Sequence, residues 1–196
     1  MFLETSSDRG SIEIVCGCMF SGKTEELIRR MRRAKIAGLQ TILFKPEIDI
    51  RYHKQQVVSH NATNMDGVPV KDSSEILQFI TNQKVVGIDE AQFFDDDLPN
   101  VCAHLASLDK RVIIAGLDTD FMGRPFGPMP QLLATAEFVT KLHAICMVCG
   151  KTANHSFRKT RSNLTIEIGE TDLYEARCRH CFNEGMGKKE DQIGLF

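Results

Sequence analysis

Eight residues near the start of the chain carry glycine, lysine and threonine at a spacing that can bind phosphate. Residues 17–24 match the pattern G-x-x-x-x-G-K-[ST] without a mismatch. Glycines let the backbone turn its N–H groups toward phosphate oxygens, Lys23 would bridge the β- and γ-phosphates, and the Thr24 hydroxyl would bind Mg²⁺. The alternative is a plain glycine turn, but the pattern favours a nucleoside triphosphate site. Its members are Gly17, Cys18, Met19, Phe20, Ser21, Gly22, Lys23 and Thr24.

Two adjacent carboxylates, Asp89 and Glu90, directly follow a buried-type strand at 85–88. Ligands of open α/β sheets gather at the carboxyl ends of the strands, so this position can face the phosphates. Asp89 is predicted to hold Mg²⁺, usually through water. Glu90 could orient an acceptor hydroxyl and take its proton, or it could polarise water, which would make an ATPase. A solvated turn is the third interpretation of this pair.

Four cysteines in two C-x-x-C pairs can hold one Zn²⁺. Four thiolates complete a tetrahedral shell and leave no open position, which predicts a structural metal. The gap between the pairs exceeds the usual spacing of about 15–20 residues, and a hairpin of 156–157 against 164–168 would close it. Redox-active pairs are an alternative, and His180 could replace one sulfur. The predicted ligands are Cys146, Cys149, Cys178 and Cys181.

Strands that alternate with helices must position these groups. Apolar runs predict strands at 12–16, 41–44, 85–88 and 111–117, with helices over 24–37, after the cap at 72–74 and from 95–97. This alternation predicts an α/β fold, in which helices flank a parallel sheet. The stretch 45–67 is polar and is interpreted as a loop. Helical periodicity ends near Lys141, so we expect an ATP-binding domain over 1–140, a zinc-binding lobe over 141–184 and a disordered tail over 185–196.

Composition argues against several other functions. The net charge is −2, with two Tyr and no Trp, whereas DNA-associated ATPases and single-strand binders present basic grooves with stacking aromatics. A nucleotide sensor without turnover is a further alternative, which the pairing of Glu90 with Asp89 disfavours. No apolar run could span a membrane and no signal peptide is evident, which predicts a cytoplasmic protein. Basic residues on the first helix favour a solvated face over a nucleic-acid or subunit contact; they are Arg29, Arg30, Arg32, Arg33 and Lys35.

Several segments in the same order resemble the zinc-containing thymidine kinases of the cytosolic type, in their bacterial form. These are 17–27, 45–46 with 49–52, 89–94, 116–118 leading to 125–127, 141–142, and the paired cysteines. The resemblance runs from about residue 12 to 181. It implies a phosphate-loop sheet with a small zinc lobe that carries a lid. It also implies transfer of the γ-phosphate of ATP to the 5′-hydroxyl of thymidine.

The same resemblance implies roles for single residues. Glu90 would be the base for the 5′-hydroxyl, Arg51 would assist at the phosphates, and Asp49 and Gln92 would join the nucleotide site. Phe121 resembles the ring that stacks on thymine. The implied nucleoside residues are Met19, Phe93, Leu117, Asp120, Phe121, Phe126 and Tyr174, together with a lid of Thr165, Ile166, Glu167, Ile168 and Gly169. A homotetramer and feedback inhibition by dTTP are also implied.

Three positions depart from the family pattern. Cys18 stands where many members have Pro or Ser, and we expect little consequence because the backbone binds the phosphates. Asp120 is Thr in some relatives, and Ser156 replaces a Thr of the vertebrate forms. These differences bear on substrate preference rather than on the reaction.

Overall fold

Six short strands form one parallel sheet at the centre of the chain. The computed structural model describes residues 9–48, 56–58, 64–160 and 173–191. The first eight strands are β1 (Ser11–Cys16), β2 (Thr41–Pro46), β3 (Gln56–Val58), β4 (Asn64–Asp66), β5 (Val68–Val70), β6 (Val85–Ile88), β7 (Arg111–Gly116) and β8 (Phe138–Lys141). The sheet has the order β5-β2-β6-β7-β1-β8, and each neighbouring pair is parallel.

The sequence predicts four of these six strands. Those expected at 12–16, 41–44, 85–88 and 111–117 are confirmed as β1, β2, β6 and β7. Periodicity does not reveal β5 and β8, because three or four residues are too few for a pattern to stand out. The loop expected at 45–67 is wrong in two places: β2 continues to Pro46, and β3 pairs with β4 in an antiparallel ribbon.

Helices cover both faces of the sheet, which completes the predicted α/β fold. They are α1 (Lys23–Ile36), α2 (Ser73–Phe79), α3 (Leu98–Ser107), α4 (Met129–Thr135) and α5 (Arg179–Asp191). One core lies under α1 and contains Val15 of β1, whereas the other lies under α2, α3 and α4 and contains the alternate residues Ile14 and Cys16. Both faces of β1 are therefore buried before the chain enters the loop at 17–24.

The helix α1 confirms the helix predicted over 24–37. Leu27, Ile28, Met31 and Ala34 are all buried against the sheet. Spacing by three and four residues places these side chains on one face, and their burial fixes the axis of the helix relative to β1. The amino terminus of α1, where the loop 17–24 ends, is thereby held in place by the core.

Two aspartates organise the amino termini of α2 and α3. Asp72 accepts a hydrogen bond from the Glu75 N–H at 3.1 Å, which confirms the predicted cap. The helix α2 ends at Phe79. It buries Ile76, whereas its apolar residues Leu77 and Phe79 are exposed. The carboxylate of Asp95 accepts bonds from both the N–H and the hydroxyl of Ser73, each at 2.7 Å, and from the Asp97 N–H at 3.0 Å. It therefore links the start of α2 to the turn that begins α3.

A buried ion-pair network joins α1 to the sheet. Glu13 of β1 is 3% exposed and accepts bonds from Arg30 at 2.9 Å and from Arg111 at 2.6 Å. Arg30 also donates to Glu26 at 2.8 Å and to the Thr140 hydroxyl at 2.9 Å. The prediction of a solvated basic face is therefore wrong for Arg30, although the other four basic residues of that group are exposed.

Small antiparallel hairpins follow the sheet. They consist of β9 (Ala144–Ile145) with β10 (Thr152–Ala153), and β11 (His155–Arg158) with β12 (Tyr174–Arg177). β11 pairs with β12. Residues 164–168, the predicted partner of 156–157, lie outside the described part of the chain, so that pairing stays a prediction. The division into domains at 140 and 184 stays a prediction.

The carboxyl-terminal helix corrects one further expectation. Residues 185–191 were expected to belong to a disordered tail, but α5 continues to Asp191. Residues 192–196 lie outside the described part. Among the described helices, none has the length and apolar character needed to cross a bilayer.

Candidate active site

The phosphate loop, residues 17–24, runs from the end of β1 into the first turn of α1, which begins at Lys23, and its backbone is unusual. Gly17, Phe20 and Gly22 have φ angles of 147°, 65° and 84°. Residues in left-handed conformation turn successive N–H groups toward one side, which makes a concave anion site. A Cβ on Gly17 would lie 2.3 Å from the carbonyl oxygen of Leu142, so the loop closes tightly on the residue that follows β8. This is the backbone that the phosphate-binding pattern predicts.

Lys23 folds back over this loop. Its Nζ donates to the Cys18 carbonyl at 2.9 Å, and the Ser21 hydroxyl donates to the same oxygen at 2.8 Å. The ammonium is therefore held at the concave side by a neutral acceptor. Charged phosphate oxygens are stronger acceptors for an ammonium than a carbonyl. The position suits the predicted bridge to the β- and γ-phosphates.

Thr24 and Asp89 meet at the carboxyl edge of the sheet. The Thr24 hydroxyl donates to Asp89 Oδ1 at 3.3 Å, and Asp89 is 5% exposed. Asp89 follows β6, and the same oxygen accepts the Glu90 N–H at 3.0 Å. A hydroxyl and a buried carboxylate at the phosphate loop are oxygen ligands of the kind that Mg²⁺ prefers. The residues predicted from separate motifs are thus brought together and fit the metal.

Glu90 is oriented by a residue that the spacing did not assign to it. Its backbone is left-handed with a φ of 52°, and it begins the 3₁₀ turn Ala91–Phe93. Gln92, 2% exposed, donates through Nε2 to Glu90 Oε2 at 2.5 Å. The Oε1 of Gln92 accepts the Leu117 N–H at 2.9 Å. Gln92 therefore connects the carboxylate to the end of β7, and its predicted contact with ATP stays a prediction.

The four predicted zinc ligands converge. The sulfurs of Cys146, Cys149, Cys178 and Cys181 all lie within 4.8 Å of one another. The Cys149 and Cys178 sulfurs are 3.7 Å apart, and sulfurs at about 2.3 Å from a tetrahedral zinc would be separated by about 3.8 Å. The Cys181 N–H donates to the Cys178 sulfur and lowers the pKa of that thiol. The donor set therefore fits a structural zinc ion.

The aromatic residues of the predicted nucleoside site form two groups. Phe93 and Phe126 meet edge to face with their ring centroids 5.6 Å apart. Phe121 lies against the guanidinium of Arg158, whose carbon is 3.7 Å from the ring centroid. Arg158 also donates to the Tyr174 hydroxyl at 3.0 and 2.8 Å. Arg158 was not among the predicted site residues.

Comparisons with known proteins decide the family. The model for the family "Thymidine kinase" matches residues 10–182. The thymidine kinase of Bacteroides thetaiotaomicron is 51% identical over 191 residues, covering 97% of this chain and 96% of that protein. The thymidine kinase of a Rhodothermus species is 54% identical over 182 residues, covering 93% and 85%. The chain belongs to the thymidine kinase family.

A solved structure supports the fold alone. The flagellar accessory protein FlaH of Methanocaldococcus jannaschii superposes with a TM-score of 0.50 at 12% identity, covering 87% of this chain and 90% of that protein. At this identity the likeness concerns the arrangement of strands and helices around a phosphate-loop sheet. It carries no information about what the two proteins bind.

Two further residues implied by the thymidine kinase resemblance, Asp120 and Leu117, lie at the end of β7 and in the loop that follows it. Asp120 shapes the turn after β7, since Oδ1 accepts the Met122 and Arg124 N–H groups at 2.8 and 2.9 Å. Leu117 lies where Gln92 reaches β7. Asp49, Arg51 and the lid at 165–169 lie outside the described part of the chain. Their roles stay predictions.

The phosphate loop rests directly on the zinc lobe. Cys18 is 1% exposed, packs with Cys146 and Cys181, and its thiol donates to the Ala153 carbonyl at 3.5 Å. The Met19 N–H donates to the Ser156 hydroxyl at 3.0 Å. Burial raises the pKa of the Cys18 thiol, which disfavours its reaction with oxidants. The sequence signals of both regions are local, so they did not reveal this contact.

Proposed function

We propose that this chain transfers the γ-phosphate of ATP to the 5′-hydroxyl of thymidine, which gives dTMP and ADP and supplies a precursor for DNA synthesis by salvage. One observation carries the proposal: Glu90 stands beside the Thr24–Asp89 pair at the mouth of the phosphate loop. Membership of the thymidine kinase family identifies the acceptor. A hydrolase would need the same triphosphate site but would direct its base toward water.

Phosphate binding rests on the loop 17–24 and on Lys23. Backbone N–H groups and the ammonium would neutralise the β- and γ-phosphates, and positioning supplies most of the rate enhancement in such transfers. Mg²⁺, bound by Thr24 and Asp89, would neutralise charge on the phosphate oxygens. Arg51 is proposed to contact the same phosphates, with Asp49 in the same part of the site.

Glu90 is proposed as the general base. A carboxylate next to the acceptor hydroxyl takes its proton as the oxygen attacks phosphorus, and ADP leaves. The bond from Gln92 at 2.5 Å restricts the carboxylate to one orientation. Because Gln92 is itself tied to the Leu117 N–H at 2.9 Å, the base is fixed relative to β7. Leu117 is one of the residues proposed to line the nucleoside site.

Base recognition is assigned to the zinc lobe and to the loop after β7. Phe93, Phe121, Phe126 and Tyr174 are proposed to surround thymine, and main-chain groups of 165–169 to pair with its acceptor–donor–acceptor edge. Cytosine presents a different order of donors and acceptors, so it would leave buried groups unpaired. Closure of this segment over the base would exclude water from the phosphoryl group.

Assembly, inhibition and location are further proposals. Phe138 and Val139 of the edge strand β8 are 40% and 50% exposed, which supports association of copies into the homotetramer of the family. The mass of the protein in solution tests this. Inhibition by dTTP is proposed because it carries both the base and a triphosphate. A reducing cytoplasm suits cysteines that bind metal rather than form disulfides.

The experiment is a transfer assay with labelled ATP and a panel of nucleosides, with and without DNA. We expect label in thymidine, less in deoxyuridine, and no stimulation by DNA. Glu90→Gln should lower turnover by roughly 10²–10⁴ while ADP binding is retained. Asp96→Asn, which removes an exposed carboxylate nearby, is the control and should have normal turnover.

The outcomes separate the candidate activities. Phosphate release that depends on DNA, without a labelled nucleoside, would identify an ATPase. Label in a purine nucleoside alone would identify a different nucleoside kinase. Normal turnover of the Glu90→Gln variant would remove this residue as the base.

A further inference from the structure

The buried guanidinium of Arg158 is an unusual feature of the zinc lobe. Arg158 ends β11 and is 1% exposed, which makes it the largest fully buried side chain in the described part of the chain. Burial of a guanidinium is costly unless its five N–H groups find acceptors of suitable geometry. If only apolar packing were needed at this position, a methionine or a leucine would fill it without the cost of burying a charge. The cation therefore points to a positioning role.

Arg158 touches residues from two separate parts of the chain. Its guanidinium carbon lies 3.7 Å from the ring centroid of Phe121, in the loop after β7. Its Nε and one Nη donate to the hydroxyl of Tyr174, the first residue of β12. The Tyr174 ring centroid is 5.3 Å from the same carbon. One planar group thus joins the sheet to the hairpin.

We propose that Arg158 is a positioning residue for the nucleoside, holding Phe121 and Tyr174 in the arrangement that receives the base. This inference rests on the proposed function. The guanidinium covers one face of Phe121, so the base must use another side of that ring. Tyr174 Oη accepts two N–H groups from Arg158, which restricts the position of the hydroxyl. Both the ring and the hydroxyl are then fixed before substrate arrives.

Only arginine combines these two contacts. A planar guanidinium can stack on a ring while its edge donates twice, whereas a lysine ammonium is a compact charge without a plane. Arg158→Met keeps much of the stem and removes both contacts. Arg158→Lys keeps the charge and removes the stacking and the double donation. If position rather than charge matters, the two variants should have similar effects.

The chain offers a matched control in Arg177. On the paired strand β12, its guanidinium carbon lies 3.5 Å from the ring centroid of Phe157, and it donates to the Cys181 carbonyl at 3.1 Å. Like Arg158, it stacks on an aromatic ring and donates to a neutral oxygen, although it also forms an ion pair with Glu175 and is less buried. Neither ring nor carbonyl belongs to the proposed nucleoside site. Arg177→Met therefore reports what loss of a stacked arginine does to the lobe as a whole.

The test measures KM for thymidine, KM for ATP, kcat and zinc content in each variant. We expect Arg158→Met to raise KM for thymidine by roughly 10–100-fold, with kcat and KM for ATP within about threefold of the parent. Arg177→Met should lower thermal stability and leave both KM values within about twofold. Tyr174→Phe should raise KM for thymidine less, and the double variant should be little worse than Arg158→Met alone.

Several results would overturn the inference. An unchanged KM for thymidine in Arg158→Met and Arg158→Lys would do so, as would an equal rise in Arg177→Met. Additive effects of Arg158→Met and Tyr174→Phe would show that the two side chains act separately. Should Arg158→Met fail to fold, the lysine variant and Tyr174→Phe carry the same test. If the parent protein itself does not phosphorylate thymidine, the proposed function fails, whatever the variants do.

Discussion

The phosphate loop and the cysteine cluster both hold charged groups on short turns, but different forces keep them in shape. The loop 17–24 lies between β1 and α1, and apolar cores on both sides of the sheet fix its ends. The lobe has a cluster of small residues, chiefly Ala144, Ala153 and Ala176 with cysteines, while Met147 and Val148 between two ligands are 72% and 58% exposed. Phe157, Tyr174 and Phe182 are buried as well, but the core of the lobe is smaller than the two cores that flank the sheet.

This difference assigns separate roles to the two regions. The sheet can present Lys23, Thr24, Asp89 and Glu90 before any ligand binds, because its two cores hold the strand and helix at the ends of the loop. Residues 18 and 19 of the loop also contact the zinc lobe through packing and hydrogen bonds. We expect the lobe to need a metal, because thiolates that share one ion reinforce a small core. Arg158 and Tyr174 belong to this lobe, so their proposed part in positioning the nucleoside should depend on the metal. Removal of zinc or a substitution in one region should accordingly affect ATP binding and thymidine binding to different extents.

Removal of zinc should have the largest effect. Structural zinc contributes about 10–16 kcal/mol in small metal-dependent domains, far more than the apolar cluster of the lobe can replace. Chelation, or Cys149→Ser, should unfold the hairpins β9–β12 and abolish measurable thymidine binding, while the sheet stays folded. Zinc content and amide exchange in β12 and β7 measure this. Cys102→Ala, in the core under α3, is the control and should retain zinc.

A metal-free protein with a protected β12 and a normal KM for thymidine would contradict this division of roles. Loss of amide-exchange protection in β7 after chelation would also contradict it, because the sheet would then depend on the metal as well.

Two glycine variants compare the regions directly. Gly17→Ala places a Cβ 2.3 Å from the Leu142 carbonyl oxygen, so the loop must move. A displacement of about 1 Å at a reacting group costs roughly 10²-fold in rate, and we expect at least this loss in kcat/KM, with weaker ADP binding. Gly150→Ala, next to Cys149, has a φ of 72° but nothing within 4 Å of its Cβ. It should cost about 1–2 kcal/mol of stability without loss of turnover.

Equal losses in the two variants would mean that backbone strain, rather than the close contact with Leu142, governs the effect. Transfer kinetics and calorimetric ADP binding give the comparison.

Local patterns predicted the parts of the site in which chemistry fixes the spacing. Residues 17–24 and the cysteine pairs must lie close in sequence to surround a phosphate or a metal, so their spacing is diagnostic. Asp89 could be recognised because it ends a short apolar strand. The four central strands were likewise visible from their composition, whereas β5 and β8 at the sheet edges were too short.

Contacts between distant segments could not be read from the sequence. The bond that the Leu117 N–H donates to Gln92 spans 25 residues, and nothing in the sequence near either residue indicates the other. Arg30 belongs to a basic stretch that is otherwise exposed, and only the fold shows that Glu13 lies beneath it. Arg158 is similarly ordinary in sequence, since its partner Phe121 lies in another part of the chain. These three residues are positioned by tertiary packing rather than by motif.

Stability of the sheet should be sensitive to its buried ion pair. Arg30→Met leaves the Glu13 carboxylate, 3% exposed, with fewer donors, and removal of one member of a buried pair costs about 3–5 kcal/mol. Arg29→Met, which removes an exposed partner of Glu26, is the matched control and should cost about 0–1 kcal/mol. Urea unfolding measures both. For each variant, the loss of stability should be the same in the presence and in the absence of zinc. If the loss caused by Arg30→Met depended on zinc, the stability of the sheet and that of the lobe would be coupled.

Acid should act on the two regions at different pH, and this is the smallest effect. Bonds from Arg29 lower the pKa of Glu26 to about 2 against the opposing effect of burial, with Arg30 adding to the decrease. Because this pKa lies below the usual 4.5, the stabilisation is complete above pH 4.5 and is lost as pH falls toward 2.

Protonation of the thiolates should release zinc from the lobe at a higher pH. In urea unfolding from pH 7 to 3, the stability difference between the parent and Glu26→Gln should be constant above pH 4.5 and shrink below it. If the stability difference between the parent and Glu26→Gln grew on acidification, the predicted pH dependence would have the wrong sign. If the sheet unfolded at a higher pH than zinc is released, the contrast between the two regions would be contradicted.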